Sequence, residues 1–323
     1  MHRQKNPLAA LLALALVLAL AAVAAACGGD DDSAAAKSAA TTAAPKVDTT
    51  YPVTVRGDNG SVTLTAHPER IVSLSASSTE DLFAIGAGDQ VKAVDDQSNY
   101  PPSAPRTKLS GYTPNVEAIG GYDPDLVIMS DASVAKELKA IKVPLLVLGA
   151  PQNLDGAYAQ ITTLGKATGH NAQAKNTVDG MRRDIARTVA SVPKPATPLT
   201  YYHELDNTLY TATSKTFIGS VYSRLGLKNV ADPADKDSGG YPQLSAEYLF
   251  SADPDLVFLA DTKCCKQSAA TVAKRPGWSN LQAVKNDNVV ALDDDIASRW
   301  GPRIVDFLRT VGNEVRSAEK DAQ

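Results

Sequence analysis

The chain is poor in the residues that metal, nucleic-acid and hydrolytic chemistry need. It has four histidines in 323 residues, and His2 falls in an N-terminal segment that reads as a removable leader. A first-row metal cage of several imidazoles is therefore hard to assemble. His67, beside Pro68, reads as a loop residue and His170 as a helix-end residue. His203 follows a strand, with cleft and surface both open to it. Basic runs are missing as well. The formal net charge is −4, and it becomes −6 once Arg3 and Lys5 leave with the first 26 residues. Such a chain carries no electrostatic footprint for nucleic acid. Enzyme signatures begin and break off. His203-Glu204 opens an HExxH zinc site, but Asn207 stands where the second histidine belongs. Gly86-Ala87-Gly88 opens a GxGxxG turn, but Val91 takes the third glycine position. Neither a GxSxG elbow nor a Gly-Lys-Ser/Thr phosphate loop occurs. No catalytic and no metal-ligating residue is predicted.

What is present begins at the N-terminus. Met1–Pro7 holds His2, Arg3 and Lys5, and residues 8–26 are an unbroken run of Leu, Ala and Val. Ala25 and Ala26 then precede Cys27, the small side chains that a signal peptidase needs near its cut. The arrangement resembles a bacterial lipobox, with Cys27 as the lipidated first residue. A permanent transmembrane anchor is the other reading, because 19 apolar residues can just span a bilayer. Both readings put the body outside the cytoplasm. Residues 27–52 are Ala, Ser, Thr, Asp and Lys with few large apolar side chains, so a flexible tether is expected. A coil of that length holds the body roughly 25–30 Å from its anchor point.

The length suggests two lobes, each able to bury its own core. A hairpin is expected around Asp58-Asn59-Gly60, followed by short apolar strands at 71–74, 91–95, 126–129 and 145–148, alternating with helices. The first helix should be capped near Ser78 or Thr79, with Glu80 and Asp81 in its first turn. This is the rhythm of a parallel sheet covered by helices. Between 171 and 192 the rhythm changes: Val178, Met181, Ile185, Val189 and Val192 follow one helical face, with Asn171 as N-cap. About 22 residues at 1.5 Å each give a rod roughly 33 Å long, stopped by Pro193, Pro195 and Pro198. Alternation then resumes with strands at 199–202, 209–213, 256–259 and 289–292 and a helix near 216–225. The expected organisation is thus an N-terminal α/β lobe over 53–170, an inter-lobe helix over 171–192 and a C-terminal α/β lobe over 193–323.

A repeat links the halves. Residues 116–131 (VEAIGGYDPDLVIMSD) and 246–261 (AEYLFSADPDLVFLAD) agree at seven of sixteen positions, 130 residues apart. DPDLV by itself is a common helix-to-strand turn. Glu117 and Glu247 are harder to dismiss, because they occupy equivalent places in two equivalent lobes.

With repeat, long helix and anchor together, the chain resembles the periplasmic-binding family for ferric siderophores and cobalamin, from residue 66 to the end. The resemblance implies two Rossmann-like lobes with parallel-sheet cores joined by a single long backbone helix, and a ligand held between them. It also implies an extracytoplasmic, lipid-anchored, monomeric binding protein of an ABC importer, not an enzyme, working with a permease and its ATPase. Family members engage permease arginines through one glutamate per lobe, and Glu117 and Glu247 match those positions. Ser73-Leu74-Ser75, Asn99-Tyr100-Pro101-Pro102, Tyr241-Pro242-Gln243 and Arg299-Trp300-Gly301-Pro302-Arg303 look most like cobalamin binders, with departures at Gln97 and Ala76. On that resemblance Ser75, Tyr112, Tyr241, Asp295, Arg299 and Trp300 are the expected ligand contacts; Tyr202, at the carboxyl end of a strand, is a further candidate aromatic wall, and for each of these aromatics an ordinary surface or core place is the other reading. No resident cofactor is implied; the ligand itself is a cobalt or iron chelate. A ferric siderophore, haem, and more remotely a surface hydrolase's substrate are the alternatives. Trp278 reads as packing. Cys264 and Cys265, being adjacent, cannot close an ordinary loop; free thiols, a vicinal disulfide and sulfur contact with ligand remain open.

Overall fold

The computed structural model describes residues 47–237 and 239–321, and all of these belong to one compact unit. Cys27 and most of the expected tether lie outside the described residues.

The hairpin forms first. Strands β1 (Val53–Gly57) and β2 (Gly60–Leu64) pair antiparallel, Val53 opposite Leu64 and Gly57 opposite Gly60. Gly60 takes a φ of 100°, which a side chain would resist. The turn covers a sheet edge that would otherwise show unpaired backbone groups. Asn59 donates to the Leu145 carbonyl at 2.8 Å and accepts from the Val147 N–H at 3.1 Å.

That edge belongs to the first sheet, which contains β3 (Ile71–Leu74), β4 (Val91–Val94), β5 (Leu126–Met129) and β6 (Leu145–Val147) in the order β4-β3-β5-β6, all parallel. Helices α1 (Ala76–Ala84), α2 (Val116–Gly120), α3 (Ala135–Ala140) and α4 (Leu154–Thr168) connect and flank the strands. Then comes α5 (Asn171–Ser191), the long helix, roughly 32 Å from end to end. The second sheet contains β7 (Thr200–Glu204), β8 (Lys228–Asn229), β9 (Leu256–Leu259) and β10 (Val289–Ala291), again all parallel, in the order β10-β9-β7-β8. Its helices are α6 (Phe217–Arg224), α7 (Ala246–Ala252), α8 (Ala269–Val272), α9 (Gln282–Lys285), α10 (Asp294–Ala297) and α11 (Ile304–Asp321). Read from each lobe's own first strand, both sheets run second-first-third-fourth. The repeat detected in the sequence is a repeat of topology.

The DPDLV element earns its recurrence structurally. Asp123, two residues past the α2 C-cap Gly121, and Asp253, the α7 C-cap, both adopt left-handed φ, 47° and 40°, a conformation that aspartate tolerates better than most residues. Two residues on, Asp125 accepts from the Glu69 and Arg70 N–H groups at 3.0 and 2.9 Å. Asp255 likewise accepts from the Thr200 N–H and hydroxyl, both at 2.7 Å. In each lobe this carboxylate fixes the entry to the central strand.

Several local expectations are corrected. The N-cap of α1 is Ser75, whose side chain accepts from the Ser78 N–H, so Glu80 and Asp81 lie one turn deeper and are buried. The α5 N-cap position is His170, without a side-chain cap; the Asn171 and Ala172 N–H groups instead donate to Asp48, each at 2.8 Å. The end of the expected tether is therefore docked, for Tyr51 Oη also donates to the Ala167 carbonyl at 2.9 Å. No strand forms at 209–213; Tyr210 and Thr211 make isolated bridges to Gln243 and Glu204.

Each lobe has a private core, one around Val72, Val127 and Met129, the other around Tyr202, Val257 and Trp278. The largest core belongs to neither. It runs from Ile71 and Ile128 through Val178, Met181 and Ile185 of α5 to Phe258, Phe307 and Val311. The lobes share buried apolar surface, which a hinge motion would have to expose.

Candidate functional site

In open parallel sheets ligands meet the loops beyond the carboxyl ends of the strands. Tyr112 stands in the β4–α2 loop and Tyr241 in the β8–α7 loop, the corresponding connection of the second lobe. Both rings are open to solvent, Tyr112 88% and Tyr241 48% exposed. The loops beneath them are tied down. A Cβ on Gly111 would come within 2.7 Å of an Asp95 carboxyl oxygen and 2.8 Å of the Leu74 carbonyl, so only glycine lets this loop approach so closely. Ser110 Oγ then accepts from the Tyr112 and Thr113 N–H groups at 3.2 and 3.1 Å. Tyr241 follows Gly240, whose φ is 98°. It is bracketed by backbone bonds from Thr213 to the Gly240 carbonyl at 2.8 Å and from Thr211 to the Pro242 carbonyl at 3.1 Å.

Glu117 and Glu247 each sit in the first turn of a short helix, α2 and α7, capped by Asn115 and Ser245. Both side chains are exposed, and neither makes an ion pair among the described residues.

Other expected ligand contacts are engaged elsewhere. Tyr202 is fully buried on β7, packed edge-on against Trp278 with ring centroids 6.4 Å apart. Alternation along the strand turns Tyr202 into the private core and Tyr201 into the shared one. It is no cleft wall. Ser75 is a buried helix cap. Arg299, 7% exposed, reaches across to the first lobe. Its Nη1 donates to Glu80 Oε1 at 2.8 Å and to Asn99 Oδ1 at 2.9 Å, and its Nη2 donates to the Gln97 carbonyl at 2.8 Å. Within its own lobe Nη2 also meets Asp295 Oδ1 at 2.9 Å. Asp295 in turn accepts from Asn99 at 2.9 Å and Lys263 at 2.7 Å. Burial pulls the other way, but those donors hold the Asp295 carboxyl below its ordinary range. Arg303 donates to both Glu80 oxygens, at 2.9 Å from Nε, and lies 4.2 Å over the Tyr100 ring. Trp300 packs half-buried against the shared core, its backbone N–H donating to Ser77 Oγ at 3.2 Å while its buried indole N–H has no acceptor among the described residues. In the sequence Glu80 stood out only as a helix-start residue and Asn99 only within a cobalamin-like stretch, and Lys263 was not marked at all. No local pattern marks a pair separated by 219 residues.

A second acidic centre lies at the carboxyl end of the second sheet. Glu204 and Asp261 are both fully buried. Arg275 grips Glu204 with two parallel bonds of 2.7 and 2.6 Å and also reaches Gln267 at 2.7 Å. Both Asp261 carboxyl oxygens lack a hydrogen-bond donor. Burial first, and the Glu204 carboxyl second, push Asp261 up to about 7. In the first lobe burial, then Glu80, raises Asp81 well above the carboxylate range, and its Oδ1 is likewise unpartnered. His203, held by Tyr222 at 2.9 Å, is pushed down to about 4 by burial, so it is a neutral core residue. His67 and His170 sit against the Thr168 carbonyl.

Cys264 and Cys265 are free thiols, one exposed and one half-buried. Loss of solvent, the neighbouring Cys265 and the acids Asp294 and Asp261 push Cys264 up to about 12. It is a poor thiolate donor. Among the described residues no three His, Cys, Asp or Glu side chains are arranged to hold a metal ion.

The profile of the periplasmic binding protein family matches residues 71–296. The chain is 33% identical over 276 residues to the cobalamin-binding protein of Halobacterium salinarum, covering 82% of this chain and 74% of that one. An uncharacterized ABC transporter substrate-binding lipoprotein of Bacillus subtilis is 28% identical, covering 82% of this chain and 86% of the relative. Among solved structures, the periplasmic vitamin B12 binding protein of Vibrio cholerae superposes with a TM-score of 0.65 at 26% identity, over 78% of this chain and 98% of its own.

Proposed function

The chain belongs to the periplasmic binding protein family, and from that premise we propose that it captures a cobalamin-like corrinoid between Tyr112 and Tyr241 and delivers it to an ABC permease. It is a binding protein, not an enzyme. The observation that carries the ligand class is the pair of exposed rings on corresponding loops of two lobes of like topology. Large aromatics left in water serve a broad, apolar-faced ligand that stacks on them. The charges support the same reading. An anionic ferric siderophore favours free guanidinium groups in the cleft, whereas Arg299 and Arg303 are engaged by Glu80. The names of the cobalamin and vitamin B12 relatives lend further support. Exposed Glu117 and Glu247, five and six residues beyond the two tyrosines, are the proposed permease contacts, and lipidated Cys27 is the proposed membrane anchor.

Calorimetry with cyanocobalamin tests the ligand, and uptake in cells tests delivery. Removing either ring, Tyr112→Ala or Tyr241→Ala, is expected to cost about 1–3 kcal/mol, or roughly 5- to 150-fold in affinity. Charge reversal of both glutamates to Lys should abolish uptake with affinity nearly unchanged, and Cys27→Ala should release the protein from the membrane. Wild type giving no heat with cobalamin but clear heat with a ferric siderophore or haem transfers the ligand to that class. A glutamate double variant that binds poorly yet still supports uptake discards the docking role.

A further inference from the structure

From the cross-lobe contacts of two guanidinium groups we infer that Glu80 is a positioning residue for ligand capture: through Arg299 and Arg303 it sets the spacing between the two lobes, and hence between Tyr112 and Tyr241. This deepens the corrinoid reading and rests on it for its kinetic readout.

Three observations carry the inference. First, Glu80 is 3% exposed and belongs to α1 of the first lobe, yet both of its oxygens are taken by arginines of the second. Second, Arg299 does not depend on Glu80 alone. Asn99 and the Gln97 carbonyl, also from the first lobe, accept from the same guanidinium, and Asn99 donates back to Asp295. A planar fork with several fixed acceptors holds an orientation as well as a distance. Third, the contacts lie where the ligand loops are rooted. Asp295 connects through Lys263 to the β9–α8 loop, and Asn99 lies in the same β4–α2 connection as Tyr112. A shared core resists separation of the lobes but is non-directional. The Glu80 network supplies the directional constraint, and being buried it is screened little by salt.

Pulsed electron–electron resonance on the full mature chain tests this. Spin labels go on exposed positions, one per lobe, as Lys139→Cys and Lys274→Cys, with Cys264→Ser and Cys265→Ser in the background. Glu80→Gln keeps the side-chain volume and removes the charge. It should broaden the inter-lobe distance distribution and speed cyanocobalamin dissociation by about tenfold, because mutational changes in affinity fall mostly on the off-rate. Asn99→Ala, a milder change in a half-buried loop, should move both readouts the same way by less, and it decides the matter if Glu80→Gln does not fold. A purely structural role would lower thermal stability and leave the distances untouched. Folded variants with the wild-type distribution overturn the inference. If wild type binds no corrinoid, the ligand reading falls, while the distance distributions still decide whether Glu80 spaces the lobes.

Discussion

The two lobes share one strand order and one helix-to-strand motif, but they differ in how they neutralise their buried acids. Each buries a pair of carboxyl groups, Glu80 with Asp81 and Glu204 with Asp261, and each offers arginine to only one member of the pair. In the second lobe that arginine, Arg275, is local. In the first lobe the arginines come from the other half of the molecule. An ion pair inside one lobe stiffens that lobe alone, whereas one shared between lobes fixes their geometry. Duplicated topology has therefore not meant duplicated wiring.

The sharpest way to break this comparison is Arg275→Met. It leaves the fully buried Glu204 without its guanidinium, and an uncompensated buried charge costs about 3–5 kcal/mol. Urea denaturation should show that loss, with corrinoid affinity falling only as far as the second lobe loosens. A variant as stable as wild type would mean that Glu204 takes up a proton at no cost, and the contrast between local and shared arginines would lose its energetic basis.

A smaller effect should appear with pH. Folded, Asp261 keeps its proton up to about 7; unfolded, it releases it in the ordinary carboxylate range. The stability this group contributes is thus fully present below the ordinary carboxylate range, falls progressively as pH rises above it, and is gone once pH exceeds about 7. Asp261→Asn imitates the protonated form, so wild type should weaken relative to the variant as pH rises from about 4 to about 7 and hold level above that. Urea midpoints falling in parallel would assign the slope to other groups, Asp81 and Asp95 of the first lobe included, whose carboxyls are also raised by burial.

The smallest effect belongs to the helix that joins the lobes. Asp48→Ala removes the acceptor of the first two α5 N–H groups and should cost about 1 kcal/mol. Hydrogen exchange should quicken at the start of α5 and leave both ion-pair centres protected. Equal quickening around Arg275 or Arg299 would show that the helix end and the acid centres open as one unit.

Much of the fold was legible because it is written in local patterns. The apolar strands, the helical spacing of Val178, Met181 and Ile185, the prolines after residue 192 and the doubled Asp-Pro-Asp each specify structure within a few residues. Glu117 and Glu247 were found by the repeat and Tyr112 and Tyr241 by the family resemblance, and the structure sets all four in corresponding, exposed places. The remaining expected contacts depend on packing more than on pattern. Tyr202 is fully buried, Ser75 caps α1, and Arg299 and Asp295 bond across the lobes to Glu80 and Asn99, partners that no local pattern reveals. For Tyr202 the phase of one strand decided between cleft and core.

By itself, then, the sequence determined the α/β rhythm, the duplication, the long connecting helix and the paired glutamates of the two lobes, since periodicity, turn chemistry and repetition act over short spans. Only the tertiary structure decided where the charges go. Glu80 meets Arg299 and Arg303, and Glu204 meets Arg275 beside Asp261, because folding brings together groups separated by as many as 223 residues. A buried charge takes whatever partner packing puts within hydrogen-bond reach.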